Sequence, residues 1–550
     1  MKNNKSVLYL GISLIGLSFV GCAHQANKKS SGENFDVTQP ALAVPSVEAS
    51  ERRVALAAFV GTPPNALIRM PVPPQYPTNT NTQKYEDKIE NPIKRVSEHP
   101  VSTFSIDVDT GSYTNTRQQI WRGQSLNSQG IRAEEFINYF SYQYSKNTQN
   151  LPFSTSTLLT VAPWNKDHQL LRIALKAEDI QASKLAATNL VYLIDVSGSM
   201  SSEDKLDLVK TALIEMVDQL RKQDKISIVT YSGEEKVVLS GVSGDEKQKI
   251  KNAISALKAE GSTNGESALK MAYQQAQNNF IQSGINRILL LTDGDFNVGV
   301  SDTATLKKMI EQHQQKGIAL STLGVGNHFY NHGLMEQLAD VGHGKYSYLD
   351  SLGEARKVLI HEMSSTLANV AQDVKVQVEF NPAYVQEYRL LGYDNRQLAR
   401  EDFNNDKVDA GDIGAGHTVT ALYEIVPVTA KSTIDPLRYQ AENKNATANK
   451  NGEIAYLRLR YKLPKSSESK LIEQPIKSQQ LVNWQNAGAD MYFATAAAQF
   501  AFKLQQRKDV PVMNWKDLIA LAKAGATQDE FGQKQEMIAL MQKAQLKYPD

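Results

Sequence analysis

The stretch from Leu190 to Met200 reads LVYLIDVSGSM and decides the fold of this chain. Its apolar run, Leu190–Ile194, is too short to span a membrane and is rich in β-branched and aromatic residues, so we predict a strand buried on both faces. The strand ends at Asp195, and Ser197 and Ser199 follow at alternate positions. One carboxylate and two hydroxyl groups can therefore turn toward a common point. Hard oxygen ligands of this kind suit Mg²⁺ or Ca²⁺.

Further oxygen ligands follow later in the chain. Thr263 lies in the small-residue turn Gly-Ser-Thr-Asn-Gly between two helical patterns, and Asp293 directly follows a second apolar run, Ile288–Thr292. In a parallel sheet these positions can come beside Asp195 at the carboxyl ends of the strands, where open α/β sheets bind their ligands. The sequence therefore predicts a divalent metal site at this edge.

The pattern Asp-x-Ser-x-Ser, then a Thr in a Gly/Ser turn, then an Asp after a strand resembles the metal-ion-dependent adhesion site of von Willebrand factor type A (VWA) domains. The matching positions are Asp195, Ser197, Ser199, Thr263 and Asp293. The resemblance implies Mg²⁺, with Ca²⁺ or Mn²⁺ as alternatives, held directly by the three hydroxyl groups and through water by the two carboxylates. It also implies that an Asp or Glu of a protein partner completes the metal shell. The plainer alternative is a polar loop whose serines cap a helix.

Residues 186–370 alternate strand and helix patterns, which predicts a doubly wound, mostly parallel α/β sheet of the Rossmann-like VWA type. The strand Lys236–Leu239 follows a short turn and is expected to be an antiparallel edge strand. A long helix, Leu352–Val370, is expected to close the domain. We interpret this unit as inserted in, or flanked by, a β-rich domain.

The chain begins with a segment that resembles a bacterial lipoprotein signal, residues 1–22, with Cys22 as the lipidated residue. A buried structural cysteine is the alternative. Ala23 follows Cys22 where Asp would resemble an inner-membrane retention signal, so we expect an outer-membrane lipid anchor facing the periplasm or the cell surface. Residues 23–98 read as a flexible tether. Its apolar patch, Val54–Val60, is either part of that tether or a docking segment for a partner.

Three regions flank or follow the central domain. Residues 99–185 read as an α+β segment, and residues 371–485 as a β-sandwich-like domain because apolar residues alternate with polar ones, as in Val374–Phe380. We hypothesise that these two regions complete one β domain around the central insertion. Residues 486–550 are predicted to be helical, and the apolar face that includes Phe493 and Phe500 packs against the β domain or forms a partner groove.

Several other polar groups have ordinary interpretations. The run Asp107–Gly111 is only part of a calcium loop, so we read it as a strand-to-turn element. His328 and His332 are four residues apart in a Gly/Asn-rich loop, and we interpret them as a loop pair and not as a metal site. Asp295 and Asn297 either cap a turn or enlarge the acidic site beside Asp293, and we favour the cap.

The arrangement as a whole resembles a family of bacterial envelope proteins with a central VWA domain. The charge is nearly balanced, with 60 Lys and Arg against 59 Asp and Glu, and without a basic stripe we expect no nucleic-acid partner. No Ser/His/Asp or Cys/His arrangement reaches the metal loop, so we expect a binding protein and not an enzyme. The alternative is an envelope enzyme or assembly factor whose active groups lie in the flanking regions, with a structural metal. A subunit controlled by a cytoplasmic ATPase is a weaker third possibility.

Overall fold

The computed structural model describes residues 85, 90–145, 151–262, 265–294, 296, 303–326, 330–435, 452–464 and 466–550. All of them belong to the compact unit Gln75–Asp550. The strands are β1 Lys94–Arg95, β2 Val101–Ser105, β3 Phe153–Ala162, β4 Asn165–Ala177, β5 Thr188–Asp195, β6 Lys225–Tyr231, β7 Glu235–Ser243, β8 Ile285–Thr292, β9 Ile318–Gly324, β10 Tyr346–Tyr348, β11 Asn369–Phe380, β12 Val385–Leu391, β13 Ile413–Gly414, β14 Thr418–Pro427, β15 Glu453–Lys462, β16 Ser469–Lys477 and β17 Leu481–Val482.

The α-helices within the same residues are α1 Gly111–Trp121, α2 Ala133–Asn138, α3 Leu208–Val217, α4 Lys247–Ser255, α5 Gly265–Asn278, α6 Thr303–Gln314, α7 His332–Val341, α8 Leu352–Arg356, α9 Met363–Leu367, α10 Ala489–Gln505, α11 Trp515–Gly525 and α12 Gln533–Lys547. In the described part of the chain, none of them is both long and apolar enough to cross a membrane.

The central domain is built on a six-stranded sheet in the order β10-β9-β8-β5-β6-β7. All neighbouring strands are parallel except β6 and β7, so β7 is the antiparallel edge strand that the sequence predicts. Helices cover both faces of the sheet and enclose two apolar cores. This confirms the predicted VWA-type Rossmann-like fold. It also places the carboxyl ends of β5 and β8 side by side.

The strands before and after the central domain share two further sheets. One has the order β1-β12-β14-β4-β3-β17, and in the other β11 pairs with β13 and β15, β15 pairs with β16, and β2 joins β11. Val376 of β11, for example, lies opposite Phe104 of β2. The two sheets enclose a common core that draws residues from both sides of the insertion. The strands of residues 99–185 and 371–485 thus form one β domain with the VWA unit inserted between them, as hypothesised.

The C-terminal helices pack on the outer face of the six-stranded sheet that contains β4 and β14. Helices α10, α11 and α12 join α1 and α2 in one core that also includes Leu170 and Leu422 of that sheet. Phe493 and Phe500 are fully buried there. The helical face is therefore covered by the chain itself, and it forms no groove for a partner.

Three local predictions differ from the structure. The closing helix ends at Leu367 instead of Val370, because β11 begins at Asn369, and it is interrupted by a π-helical turn. The helical pattern before Thr263 predicts a helix that ends near Glu260, but α4 ends at Ser255. Lys375 and Gln377 alternate with valines in β11, which predicts that these two polar side chains face solvent. Both are buried instead.

Candidate functional site

The loop after β5 holds three of the predicted ligands in a tight arrangement. The backbone N–H of Ser197 donates to Asp195 Oδ1 at 2.9 Å, and the Ser197 and Ser199 hydroxyl oxygens are 3.0 Å apart. Asp195 and Ser197 are buried, whereas Ser199 is exposed. A 3₁₀ turn, Gly198–Ser201, starts directly after Ser197 and directs the second hydroxyl outward. Asp195 and Ser197 are therefore held inside the protein, whereas Ser199 is accessible to solvent.

Hydrogen bonds from β8 and from its own loop fix the Asp195 carboxylate. The Thr292 hydroxyl donates to Asp195 Oδ2 at 3.1 Å, so both carboxylate oxygens accept a hydrogen bond. Burial raises the pKa of Asp195 to about 6, hydrogen bonds from Ser197 oppose this rise, and the nearby charge of Asp293 adds to it. Burial and the Asp195 charge also raise the pKa of Tyr231, at the end of β6. A positive charge placed at this loop would stabilise the ionised carboxylate.

Asp293 follows β8 and lies at the same edge of the sheet. Its Oδ2 accepts a hydrogen bond at 2.8 Å from the ammonium group of Lys205, which also donates to the Ser199 carbonyl oxygen at 2.9 Å. Both side chains are buried. Lys205 therefore ties the second predicted carboxylate to the Asp-x-Ser-x-Ser loop, and it compensates one of the two negative charges.

Thr263 lies outside the described residues, but the residues just before it, Glu260 and Gly261, contact the loop after β5. The N–H of Gly198 donates to the Gly261 carbonyl oxygen at 2.9 Å, and the N–H of Glu260 donates to the Val196 carbonyl oxygen at 2.7 Å. The turn that carries Thr263 is thus hydrogen-bonded to the loop that carries Ser197 and Ser199.

Gly294 shows why the residue after Asp293 is a glycine. Its φ is +87°, and a Cβ atom there would lie 2.3 Å from the ring of Tyr330. A side chain at this position would be strained and would also clash, and either effect would displace Asp293. The close packing of Tyr330 therefore fixes the path of the chain out of β8.

The donor set fits a small divalent cation. Adjacent ligands of an octahedral Mg²⁺ ion, each about 2.1 Å from the metal, are about 3.0 Å apart. The separation between the Ser197 and Ser199 oxygens, 3.0 Å, is the same. Two hydroxyl groups and the two carboxylates of Asp195 and Asp293 form an all-oxygen set of the kind that Mg²⁺, Ca²⁺ and Mn²⁺ prefer. Among the described residues, no group of three or more His, Cys, Asp or Glu is arranged to hold a metal, so an ion here would depend on the hydroxyls.

Lys205 and Thr292 are the site residues that the sequence reading missed. Thr292 was assigned only to the apolar run Ile288–Thr292, and Lys205 was given no role. A polar residue at the carboxyl end of a buried strand, beside a predicted ligand, was the available signal for Thr292. The contact of Lys205 depends on how the helix packs over β8, which local sequence does not specify.

The other candidate residues either lie away from the Asp195 loop or fall outside the described residues. Cys22, His328, Asp295 and Asn297 are outside the described residues. His332 begins α7 and is buried, with Nδ1 2.5 Å from the Tyr346 hydroxyl oxygen, so it belongs to a helix start and not to the predicted loop.

The run Asp107–Gly111 forms an ion-pair cluster instead of a calcium loop. The guanidinium of Arg396 contacts Asp107 at 3.4 Å and Asp109 at 3.1 Å. Asp109 Oδ1 also accepts a hydrogen bond from the Tyr346 backbone. Both carboxylates are thus used to hold the segment against the central domain.

Comparison with known families agrees with this geometry. Residues 189–360 match the family described as von Willebrand factor type A domain, and residues 79–172 match one described as von Willebrand factor. The fold and the site together define a VWA-domain protein. Domains of this class often mediate metal-dependent protein interactions.

A more specific relationship covers most of the chain. Residues 365–546 match the family described as "Uncharacterized protein YfbK, C-terminal". The Escherichia coli K12 protein YfbK is 44% identical over 473 residues, which are 85% of this chain and 82% of that protein. The chain belongs to the YfbK family of bacterial VWA proteins.

The similarity to solved structures is more distant. A von Willebrand factor type A protein from Catenulispora acidiphila is 16% identical and covers 71% of this chain and 91% of its own, with a TM-score of 0.40. Proximal thread matrix protein 1 from the mussel byssus, solved with zinc in its MIDAS motif, is 17% identical and covers 34% of this chain and 46% of its own, with a TM-score of 0.27.

Proposed function

We propose that this chain is a lipid-anchored protein of the bacterial envelope that binds a carboxylate-bearing protein partner through a divalent cation at the Asp195 site. The supporting observation is the convergence of Asp195, Ser197, Ser199 and Asp293 at the carboxyl ends of β5 and β8. We propose Mg²⁺ as the cation, held by the Ser197, Ser199 and Thr263 hydroxyls.

The charge of the site favours an external carboxylate. The hydroxyl ligands are neutral, and Lys205 already compensates Asp293 at 2.8 Å. A bound cation would act as a Lewis acid with few negative ligands, so it would gain from an additional anionic oxygen. Ser199 is exposed and leaves the upper side of the loop accessible to a partner.

The contacts around the site suit binding and not catalysis. Thr292, Lys205 and the backbone N–H of Ser197 each donate a hydrogen bond to a carboxylate oxygen of the site and fix its position. A hydrolase would need a base or nucleophile placed to accept a proton from substrate or water. We therefore propose that the site recognises an acidic side chain without transforming it.

Capture of partners from crosslinked envelope material tests the proposal. The immobilised wild-type chain should retain a partner in Mg²⁺ and release it in EDTA, and the purified partner should then bind directly. Ser199→Ala removes one proposed ligand and should weaken this binding at least tenfold. Ser201→Ala removes an exposed hydroxyl two residues away and is the matched control. Equal binding of the partner by all three proteins, with and without EDTA, would refute the proposed role.

The lipid anchor needs a separate test. Wild-type protein expressed in a diderm bacterium should incorporate labelled fatty acid and sediment with the outer membrane. Cys22→Ala should abolish both results, because the chain contains a single cysteine. Labelling of the Cys22→Ala variant at the wild-type level would exclude this anchor without affecting the metal site.

A further inference from the structure

A large cleft lies at the end of the central sheet opposite Asp195. Its volume is about 1260 Å³, and it is lined by the start of β8, by α6 and by the first residues of β11 in the β domain. Arg287, the third residue of β8, lines this cleft and lies opposite Leu190 of β5. Leu190 and Asp195 are separated by about 16 Å along the strand. The cleft is therefore a different place from the metal site.

Arg287 is a buried cation without a paired anion. Its side chain is 3% exposed, Nη1 donates to the Ser321 hydroxyl at 2.7 Å, and Nε has no hydrogen-bond partner. In the described part of the chain, no carboxylate oxygen lies within 4.0 Å of its guanidinium. Burial of an uncompensated charge is strongly unfavourable, so such groups are normally paired.

Of the other buried arginines, Arg172 lies over the ring of Tyr144 at 4.7 Å and has no carboxylate within 4.0 Å among the described residues, whereas Arg117 follows that rule. Arg117 contacts Asp350, Glu354 and Glu536 at 2.6–3.0 Å. Burial would lower the pKa of Arg117, but Tyr139, Asp350 and Glu354 together raise it well above its usual value. At Arg287 the effect of burial dominates and lowers the pKa to about 10, although the more distant Asp412 opposes it. Arg287 thus lacks the counter-charge that Arg117 has.

The rest of the cleft is also rich in positive charge. Lys462 is paired with Asp373 at 2.5 Å, and His343 with Asp409 at 3.4 Å. Four further lysines line the cleft and have no carboxylate within 4.0 Å among the residues that the structure covers: Lys184, Lys307, Lys316 and Lys407. Glu311 and Asp406 add two further carboxylates, but the side chains that line the cleft still include more cations than anions, so the cleft attracts anions.

We infer that this cleft binds a small organic anion whose carboxylate or phosphate group pairs with the Arg287 guanidinium. A guanidinium can donate two parallel hydrogen bonds to either oxyanion. Nη1, which bonds to Ser321, is the one nitrogen of the Arg287 guanidinium with a hydrogen-bond partner among the described residues. Lys307 and Lys316 of the same cleft would strengthen the attraction from the solvent side. The bound anion would complete the interface between the central domain and the β domain.

Thermal unfolding of the full chain in EDTA, at constant ionic strength set by chloride, tests this inference independently of the metal site. Inorganic phosphate and citrate are the two probes, and they distinguish phosphate from carboxylate recognition. At least one probe should raise the wild-type midpoint in a saturable way. Arg287→Gln should abolish this rise and should unfold no earlier than wild type without a probe, because it removes a buried unpaired charge. Lys249→Gln, on the exposed surface of α4 outside the cleft, should respond as wild type does.

Two outcomes would overturn the inference. One is a wild-type midpoint that neither probe raises more than chloride does. The other is the same saturable rise in Arg287→Gln as in wild type. If Arg287→Gln does not fold, the double variant Lys307→Gln/Lys316→Gln should weaken half-saturation at least threefold, and an unchanged value would equally reject the inference.

Discussion

The Lys205 ammonium lies 2.8 Å from Asp293 Oδ2, in a buried position beside the predicted metal ligands. This pair gives the site a fixed positive charge in addition to its two carboxylates. Its consequence is a weaker intrinsic attraction for cations than the acidic residues alone would produce. The same contact holds Asp293 in position.

Removal of that charge should strengthen metal binding. Lys205→Met is expected to raise Mg²⁺ affinity by about tenfold, because a neighbouring positive charge no longer opposes the ion. Isothermal titration calorimetry with Mg²⁺ alone measures the change. Lys270→Met, which removes an exposed lysine paired with Glu266 on α5, is the control. A lower affinity in Lys205→Met would mean that positioning of Asp293 outweighs the charge effect.

Metal binding should also stabilise the fold. At a free Mg²⁺ concentration of 100 times Kd, the wild-type chain should gain about 2.7 kcal/mol in unfolding free energy relative to EDTA. Ser199→Ala should lose most of this gain, whereas Ser201→Ala should keep it, as measured by urea unfolding with and without Mg²⁺. Equal gains in the two variants would show that the Ser199 hydroxyl is not a ligand.

Much of the central domain is predictable because its strands are continuous apolar runs and its helices carry regular apolar stripes. The spacing of Leu206, Val209, Leu213, Met216 and Leu220 predicts one apolar helix face, and all five residues are buried. The spacing Asp195, Ser197, Ser199 also predicts proximity, because these residues share one loop. Asp293 required the further assumption that β5 and β8 are neighbours, and the structure confirms this.

The polar elements could not be predicted in the same way. Helix α1, Gly111–Trp121, has almost no apolar stripe, yet it is buried because polar side chains such as Arg117 and Gln118 bond to distant partners. Lys375 was expected to face solvent, but its ammonium donates to the carbonyl oxygens of Asp402 and Asn405 in a loop that covers β11. The burial of α1 and of Lys375 therefore depends on contacts between residues far apart in sequence.

The ion-pair cluster around the half-buried Arg396 should control how the segment Asp107–Asp109 attaches to the central domain. Arg396 pairs with Asp107 and Asp109, and with Glu336 and Asp340 of α7, at 2.8–3.4 Å. Arg396→Met would leave Asp107 and Asp109 without a cationic partner among the described residues, although Arg132 would still face Glu336 at 3.5 Å. The substitution should reduce the unfolding free energy by about 3–5 kcal/mol. Urea unfolding measures the loss.

A surface ion pair provides the comparison for Arg396. Arg460 pairs with Asp406 at 2.9 Å in a partly exposed position. Arg460→Met should cost about 1 kcal/mol or less. Losses of similar size in the two variants would show that the Arg396 cluster is not a determinant of stability.

His343 should make the contact between the central domain and the β domain depend on pH. Its Nδ1 lies 3.1 Å from Asp412 Oδ2, and its Nε2 lies 3.4 Å from Asp409 Oδ1. Burial alone would lower the pKa of His343, but these two carboxylates outweigh it and raise the pKa from 6.5 to about 11. The folded chain therefore retains a proton that the unfolded chain releases above about pH 6.5.

The sign of the pH dependence follows from this difference in bound protons. The stabilisation from His343 is complete below about pH 6.5 and decreases as pH rises toward 11, by up to about 1.4 kcal/mol per pH unit. His343→Asn removes the titrating group and keeps a residue that tolerates the left-handed backbone, φ +49°. The excess stability of wild type over His343→Asn, from urea unfolding at pH 6, 7.5 and 9, should therefore shrink steadily. The exposed His361→Asn should show no such trend, and a constant difference between wild type and His343→Asn would mean that His343 is not held protonated in the folded chain.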